Sequence, residues 1–386
     1  MKTIAIDCGA ADTRAALLVA NEPVRFWLGP ARGDEAHAGP EPGDVYVGRI
    51  RTAAPALKGA FVDIGADADA FFPIGNAKPP TEGALVRFKV RRPAVGGKGV
   101  MLARAEGLDS ADAAPPAASV GRIAAADAGV AAVRALGEHG GVVNDAAAGA
   151  ILRREFPRLR IDIGGPGFDE NIEALLDASF SRAVALPGGA RLVIDETEAL
   201  TAVDVDTGGA AEGAGAKLND KVNASAADRL FLEFSRRGIG GRIVVDFLPP
   251  SDAKAQGALL AALEKSREGL FECRFGRLSA DGLFDLTAPR SRRSLLDEAT
   301  EAFGDELRQG RRFTLDWSAK VAIRALERRL RRAPSSRPRL LVGAGIADYL
   351  AKARPQWRER LAARFGARFA IEPDPRMRER EFDVVE

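Results

Sequence analysis

Two aspartates, Asp204 and Asp206, stand one residue apart in the run TAVDVDTGG, and a third, Asp246, ends the run GRIVVDF. In an extended strand, residues i and i+2 share a face. Asp204 and Asp206 would then stand side by side, about 7 Å apart at Cα, while Val203 and Val205 pack the other way. Like charges this close repel, and burying either without a partner is costly, so a positive charge is expected there. If the two strands are neighbours, three carboxylates converge at one sheet edge, where open α/β sheets place their ligands. Such a group suits a hard divalent cation, which polarises a phosphate oxygen and generates a hydroxide nucleophile without histidine. The ordinary alternative is aspartates that cap strand ends and turns.

Composition narrows the chemistry. With only His37 and His139, and only Cys8 and Cys273, the 386-residue chain lacks the donors for a zinc site or a histidine-based triad. Any metal must be held by carboxylates, which points to magnesium or manganese. The two cysteines read as buried free thiols of a reducing compartment. The start MKTIAIDCGAADTRAALL has no unbroken apolar run, so a cytoplasmic location is expected, and no segment approaches a membrane span. Lys plus Arg is 56 against 54 for Asp plus Glu, a net charge of +2. Any nucleic-acid surface must therefore be local.

The elements that must position the carboxylates follow from pattern. TIAID (3–7) and RAALLVA read as a hairpin, and the Gly- and Pro-rich stretch 29–44 as a linker. VYVGRI, GAFVDIG, DAFFPIG, ALVRFKVRR and VMLAR are short strands closed by Gly turns, which describes a small antiparallel barrel. The Ala-rich stretch from about 106 is uninformative. FDENIEALLDASFSRAV has helical spacing, RLVIDETEALTAVDVDTGG reads as two strands with a polar crossing, and KLNDKVNASAADRLFLEFSRRG as a helix ended by Gly. A strand, a helix and the strand GLFDLTAPR follow, giving a layered α/β domain. The last hundred residues hold amphipathic stretches around LLVGAGI. One of them, IRALERRLRRAP, carries Arg324, Arg328, Arg329, Arg331 and Arg332, either as a solvated basic face or as a phosphate-contacting one.

LPGGARLVIDETEALTAVDVDTG and GGRIVVDF together resemble the catalytic domain of the ribonuclease E and ribonuclease G family. GDVYVGRI, GAFVDIGADADAFFPI and GGKGVML resemble that family's S1 domain, an OB-fold, and LLVGAGIADYLAKA resembles its small C-terminal domain. The resemblance implies a multidomain α/β chain divided as follows: an RNase H-like part at 1–40, an inserted S1 barrel at 41–105, a reduced 5′-sensor-like region at 106–150, a second RNase H-like part at 151–180, a DNase I-like catalytic domain at 181–292 and a helical linker with a small domain at 293–386. It implies a magnesium-dependent endoribonuclease acting on single-stranded RNA in RNA processing or decay. Asp204 and Asp246 fall on the metal-binding aspartates, Asp206 falls on a family asparagine, and Glu198 matches a family glutamate. Phe61, Phe71 and Lys98 fall on RNA-contacting positions, where exposed aromatics stack on unpaired bases and a lysine reaches phosphate.

The chain also departs from the family pattern. Where the family's 5′-monophosphate pocket has an arginine and a threonine, GGVVNDAAAG offers Asn144 and Asp145, so no preference for 5′-monophosphorylated RNA is expected. The cysteine pair of the family's shared zinc ion is absent after TAPRSRRSLL, so no structural zinc and no zinc-linked tetramer are expected, and the oligomeric state is open. TGGAAEGAG replaces the basic residues that usually follow the first catalytic strand. This favours the second reading, an RNA-binding protein with weak or lost nuclease activity. A third reading comes from AIDCGAADTRAALL, which resembles the first phosphate loop of sugar kinases and actin-like ATPases.

Overall fold

The structure, a computed structural model, describes all residues except 1, 33, 35–38, 76, 78–80, 95–97, 106–118, 137–139, 212–216 and 305–309. His37, His139, the first part of the Ala-rich stretch and part of TGGAAEGAG lie outside the described residues.

A five-stranded sheet opens the fold, in the order Arg160–Ile163, Gly140–Val143, Lys2–Cys8, Asp12–Val19, Glu22–Pro30. The first three strands in that order run parallel, and only Asp12–Val19 is reversed. The helices Ala128–Leu136 and Ala146–Glu155 cover one face through Ala132, Val133, Ala148 and Leu152. Phe168 and the helix Glu170–Ala178 cover the other. The expected hairpin is present. Its third strand, Glu22–Pro30, runs into what reads in the sequence as a linker.

The strands Val45–Ala54, Gly59–Asp63, Ala70–Pro73, Leu85–Arg92 and Met101–Arg104 form a closed barrel, because Val45–Ala54 pairs with both Gly59–Asp63 and Leu85–Arg92. This is the OB-like barrel expected from the strand spacing. Its interior is filled by Tyr46, Ile50, Val62, Phe72, Phe88, Val90 and Leu102.

The division expected at 106–150 changes. Gly121–Ala124 pairs with the barrel strand Val45–Ala54, and Gly140–Val143 pairs with Lys2–Cys8 in the first sheet. The described residues of this stretch therefore belong to the two flanking units, which long-range pairing decides and local pattern does not show.

A second large sheet has the order Ala183–Ala185, Arg191–Glu196, Thr201–Asp206, Gly241–Asp246, Leu283–Ala288, Arg274–Leu278. Alternation sends Leu192, Ile194, Val203, Val205, Ile243, Val245, Phe284 and Leu286 to one face. There they pack against Leu230, Phe231, Phe234, Leu259 and Leu263 of the helices Lys217–Arg237 and Ala253–Arg267. The hairpin Thr300–Phe303 and Gly310–Phe313 leads to the helix Leu315–Arg332. The chain closes on a small sheet in which Arg339–Val342 lies between Ala370–Pro373 and Phe382–Val385.

Candidate active site

The strands Thr201–Asp206 and Gly241–Asp246 are parallel neighbours, in a register that pairs Val203 with Val245 and Asp204 with Asp246. The valines point into the helical layer and the two aspartates point out to solvent. Asp246 is the last residue of its strand, and Asp206 ends the other. The carboxylate pair therefore stands near the carboxyl ends of two parallel strands.

The loops beyond these ends are fixed. Gly208 turns the chain at φ +52, and a Cβ there would lie 2.2 Å from the Gly189 carbonyl oxygen, so the first Gly of TGG is a backbone requirement. After Asp246, Asn223 clamps the loop from the helix below: its Nδ2 donates to the Leu248 carbonyl at 2.8 Å, and its Oδ1 accepts from the Leu248 N–H at 3.1 Å. Asp220 accepts from the Ser251 hydroxyl at 2.6 Å and from the Ser251 N–H at 3.1 Å. These positioning residues were not among the sequence candidates. Their trace is an asparagine on what proves to be the buried face of KLNDKVNASAADRL.

Burial raises the Asp204 carboxyl above its ordinary value, and the nearby charges of Asp206 and Asp246 add to this against Arg191 and Arg182. Asp206 moves the other way, because its carboxylate accepts the Gly208 N–H at 2.8 Å and the Arg191 Nε at 2.8 Å. Arg191 Nη2 lies 2.6 Å from the same carboxylate. Asp206 is thus already paired, and Arg182 is likewise held by Asp195. Among the described residues, no group of three or more His, Cys, Asp or Glu is gathered closely enough to cage an ion. Asp204 and Asp246 form an open two-carboxylate face.

Glu198 is exposed in the crossing before Thr201, at the far end of the strand from the carboxylates. It lines a cavity of about 620 Å³ with Thr197, Arg290 and Arg311.

On the barrel, Phe61 is 37% exposed and its ring centroid lies 5.7 Å from that of Phe71, edge to face. The two residues face each other across neighbouring strands. Gly59 makes this arrangement possible: a Cβ at that position would come within 2.2 Å of the Phe71 ring. Lys98 is exposed, three residues before the strand Met101–Arg104, which pairs with Phe71. The core position common for a phenylalanine in such a strand is therefore not the one Phe61 takes.

Asn144 and Asp145 serve the first sheet. Asn144 Oδ1 accepts the Cys8 N–H at 2.7 Å and its Nδ2 donates to Asp7, while Asp145 caps the helix Ala146–Glu155 by accepting from the Ala148 N–H at 2.8 Å. The phosphate-loop reading of AIDCGAADTRAALL fails on burial, since Asp7, Asp12, Thr13 and Arg14 are all buried. Arg14 Nη2 sits 2.6 Å from Asp7 and 2.7 Å from Glu173. The arginine-rich helix is what closes this region. Arg324 reaches Asp12 at 3.2 Å, Arg328 reaches Glu173 at 3.3 Å, Arg331 reaches Asp7 at 3.4 Å, and Arg332 pairs with Glu170. Four of the five arginines of this stretch thus fasten the C-terminal unit to the first sheet and the helix over it, Arg332 from an exposed position, while Arg329 pairs with Glu386. Of the two cysteines, both free, Cys8 is buried and Cys273 half-buried.

Residues 167–292, the segment that carries the strands of Asp204 and Asp246, match the model of the Ribonuclease E/G family. Ribonuclease E of Escherichia coli is 32% identical over 126 residues, covering 32% of this chain and 12% of that protein. Ribonuclease E of Haemophilus influenzae is 25% identical over 217 residues, covering 55% of this chain and 23% of that protein. A chloroplastic ribonuclease E/G-like protein of Arabidopsis thaliana is 35% identical over 139 residues, covering 35% of this chain and 14% of that protein. The matches thus span a quarter or less of these relatives' lengths. Residues 167–292 are thus similar to the ribonuclease E/G family.

Proposed function

We propose that the protein is a cytoplasmic, magnesium-dependent endoribonuclease that cleaves single-stranded RNA in RNA processing or decay. The observation that carries this reading is the pairing of Asp204 with Asp246, in register and on the open face of the catalytic sheet. The donor set fits the ion. Magnesium is held by one or two carboxylates, with water and substrate phosphate completing its shell, and manganese takes the same oxygen donors. The Asp204 carboxyl is raised first by burial and then by the charges of Asp206 and Asp246, and a cation would relieve that second contribution. When bound, the ion supplies Lewis-acid polarisation of a phosphodiester oxygen and lowers the pKa of water beside it.

The chain's own residues do the rest. Asp204 and Asp246 fix the position of the ion, and Asn223 and Asp220 hold the loop that follows Asp246. Asp206 assists indirectly by keeping Arg191 at the edge of the site, where its charge is already balanced. The barrel binds the unpaired strand through Phe61, Phe71 and Lys98, whose rings and ammonium suit base stacking and phosphate contact. No structural zinc and no zinc-linked tetramer enter this reading. The test is cleavage of an unstructured RNA with magnesium, wild type against Asp246→Asn. Equal rates overturn the assignment.

The commitment of Asp206 to Arg191 favours a second reading, RNA binding with weak or lost nuclease activity. It predicts salt-sensitive RNA binding that survives EDTA, together with an absence of cleavage.

A further inference from the structure

Among the described residues, the sheet that carries Asp204 and Asp246 has helices on one face only. Across the open face, the hydrogen-bonded register sets side chains in rows. One row runs Val193, Asp204, Asp246, Leu283. The next runs Asp195, Ala202, Val244, Asp285, and the one beyond it holds Arg242, Thr287 and Arg274.

Three features of these rows stand out. Leu283 is 48% exposed, a large apolar side chain left in water directly beside Asp246. Arg242 and Arg274 are exposed and, among the described residues, make no ion pair. The other arginines of this region, Arg182 and Arg191, are held by Asp195 and Asp206. The row between the carboxylates and the free arginines is low at its centre, where it has Ala202 and Val244; of the carboxylates at its two ends, Asp195 is held by Arg182 and Asp285 accepts the Arg277 N–H at 2.9 Å. Arg242 lies four residues before Asp246, about 13 Å along the strand.

We infer that this open face is a track for the RNA strand, in which Leu283 seats a base beside the carboxylate pair while Arg242 and Arg274 grip phosphates a few nucleotides away. An exposed apolar group next to two carboxylates gains nothing from water but offers a surface for the flat face of a base. The two uncommitted guanidiniums supply the charge that phosphates require and that the net charge of the whole chain does not. The inference takes its ligand class from the RNA reading above.

The test measures binding of a labelled, unstructured oligoribonucleotide to the full chain in EDTA over a salt series, which separates it from cleavage. Arg242→Ala/Arg274→Ala weakens binding and lowers the slope of log affinity against log salt by about 1.4, the loss of two single-strand phosphate contacts. Leu283→Ser weakens binding severalfold and leaves the slope unchanged. Arg358→Ala, an exposed arginine on the helix Pro355–Phe365, leaves both unchanged. A double variant with the wild-type slope overturns the track, as does a loss at Arg358 equal to that at the sheet. A slope that falls in a protein that never cleaves RNA supports the track and removes the nuclease reading alone.

Discussion

The two large sheets of this protein end their central parallel strands in the same way and use those ends in opposite ways. In the first, Asp7 comes near the end of Lys2–Cys8, beside Asn144 at the end of its parallel neighbour. In the second, Asp204 and Asp246 face each other across parallel neighbours. Burial pushes the Asp7 carboxyl up, but Arg14 and Arg331 outweigh it and hold the group below its ordinary value. Asp204 is raised. The difference lies in what covers each end. The helix Leu315–Arg332 lies over the first and brings arginines to it, whereas nothing among the described residues brings a free cation onto Asp204 and Asp246. An acidic strand end is an ion-pair anchor when the fold covers it with guanidiniums and a candidate cation site when the fold leaves it open.

The sharpest way to break this comparison is to remove the charge at both ends. Asp7→Asn takes one of its two carboxylates from the buried Arg14, and because Glu173 still holds that arginine the loss should stay below the roughly 3–5 kcal/mol of leaving a buried charge unpaired. The urea midpoint should fall accordingly. Asp246→Asn should leave that midpoint nearly unchanged, because the side chain is exposed. Its effect belongs to cleavage, which should drop by at least about a hundredfold, since even outer-shell partners of metal ligands are worth 10–100-fold. If Asp7→Asn loses activity without loss of stability, the roles assigned to the two ends are wrong.

A smaller effect tests the covered end through pH. Burial pushes the Glu327 carboxyl up to about 7, with the charge of Asp7 adding to it against Arg331 and Arg364, and its Oε1 accepts the Ala10 N–H at 3.0 Å. The folded chain therefore holds a proton that the unfolded chain releases near the ordinary glutamate value. Stability from this group is present below that ordinary value and is lost as pH rises through about 7. Glu327→Gln keeps an acceptor for Ala10 and cannot titrate. Its melting temperature should fall less than that of the wild type between pH 5 and 7.5, whereas parallel curves would place Glu327 in water.

The sequence showed the two ends unequally, for a physical reason. Alternation within VDVD and IVVDF is local, so the outward aspartates and inward valines of Thr201–Asp206 and Gly241–Asp246 were legible, as were the barrel strands with their Gly turns. The partners that set each charge are distant in sequence. Glu173 reaches Arg14 across 159 residues, and Arg331 reaches Asp7 across 324. No local pattern carries such pairings, so the arginine-rich helix read as either a solvated or a phosphate-contacting face, and the first loop admitted a phosphate-loop reading beside the hairpin. The place of the strand Gly140–Val143 was not legible for the same reason, since it depends on parallel pairing with Lys2–Cys8, far away in the sequence. Asp206 was seen as a third carboxylate because its spacing is local, but its partner Arg191 sits on the adjacent strand.

Asp206 therefore gives the smallest effect, and the one that separates two carboxylates from three. Its bridge to Arg191 is exposed, and such pairs contribute little. Asp206→Asn keeps an oxygen to accept the Gly208 N–H and releases Arg191, whose freed guanidinium would then stand near Asp204 and lower its raised carboxyl pKa. The variant should change magnesium-dependent cleavage by less than about tenfold, since a difference of 1.4 kcal/mol corresponds to a factor of ten. Its activity should also persist to lower pH than that of the wild type, because Asp204 would stay ionised further into acid. A loss as deep as that of Asp246→Asn would mean that Asp206 leaves Arg191 to join the ion, and that the site closes around three carboxylates when it binds.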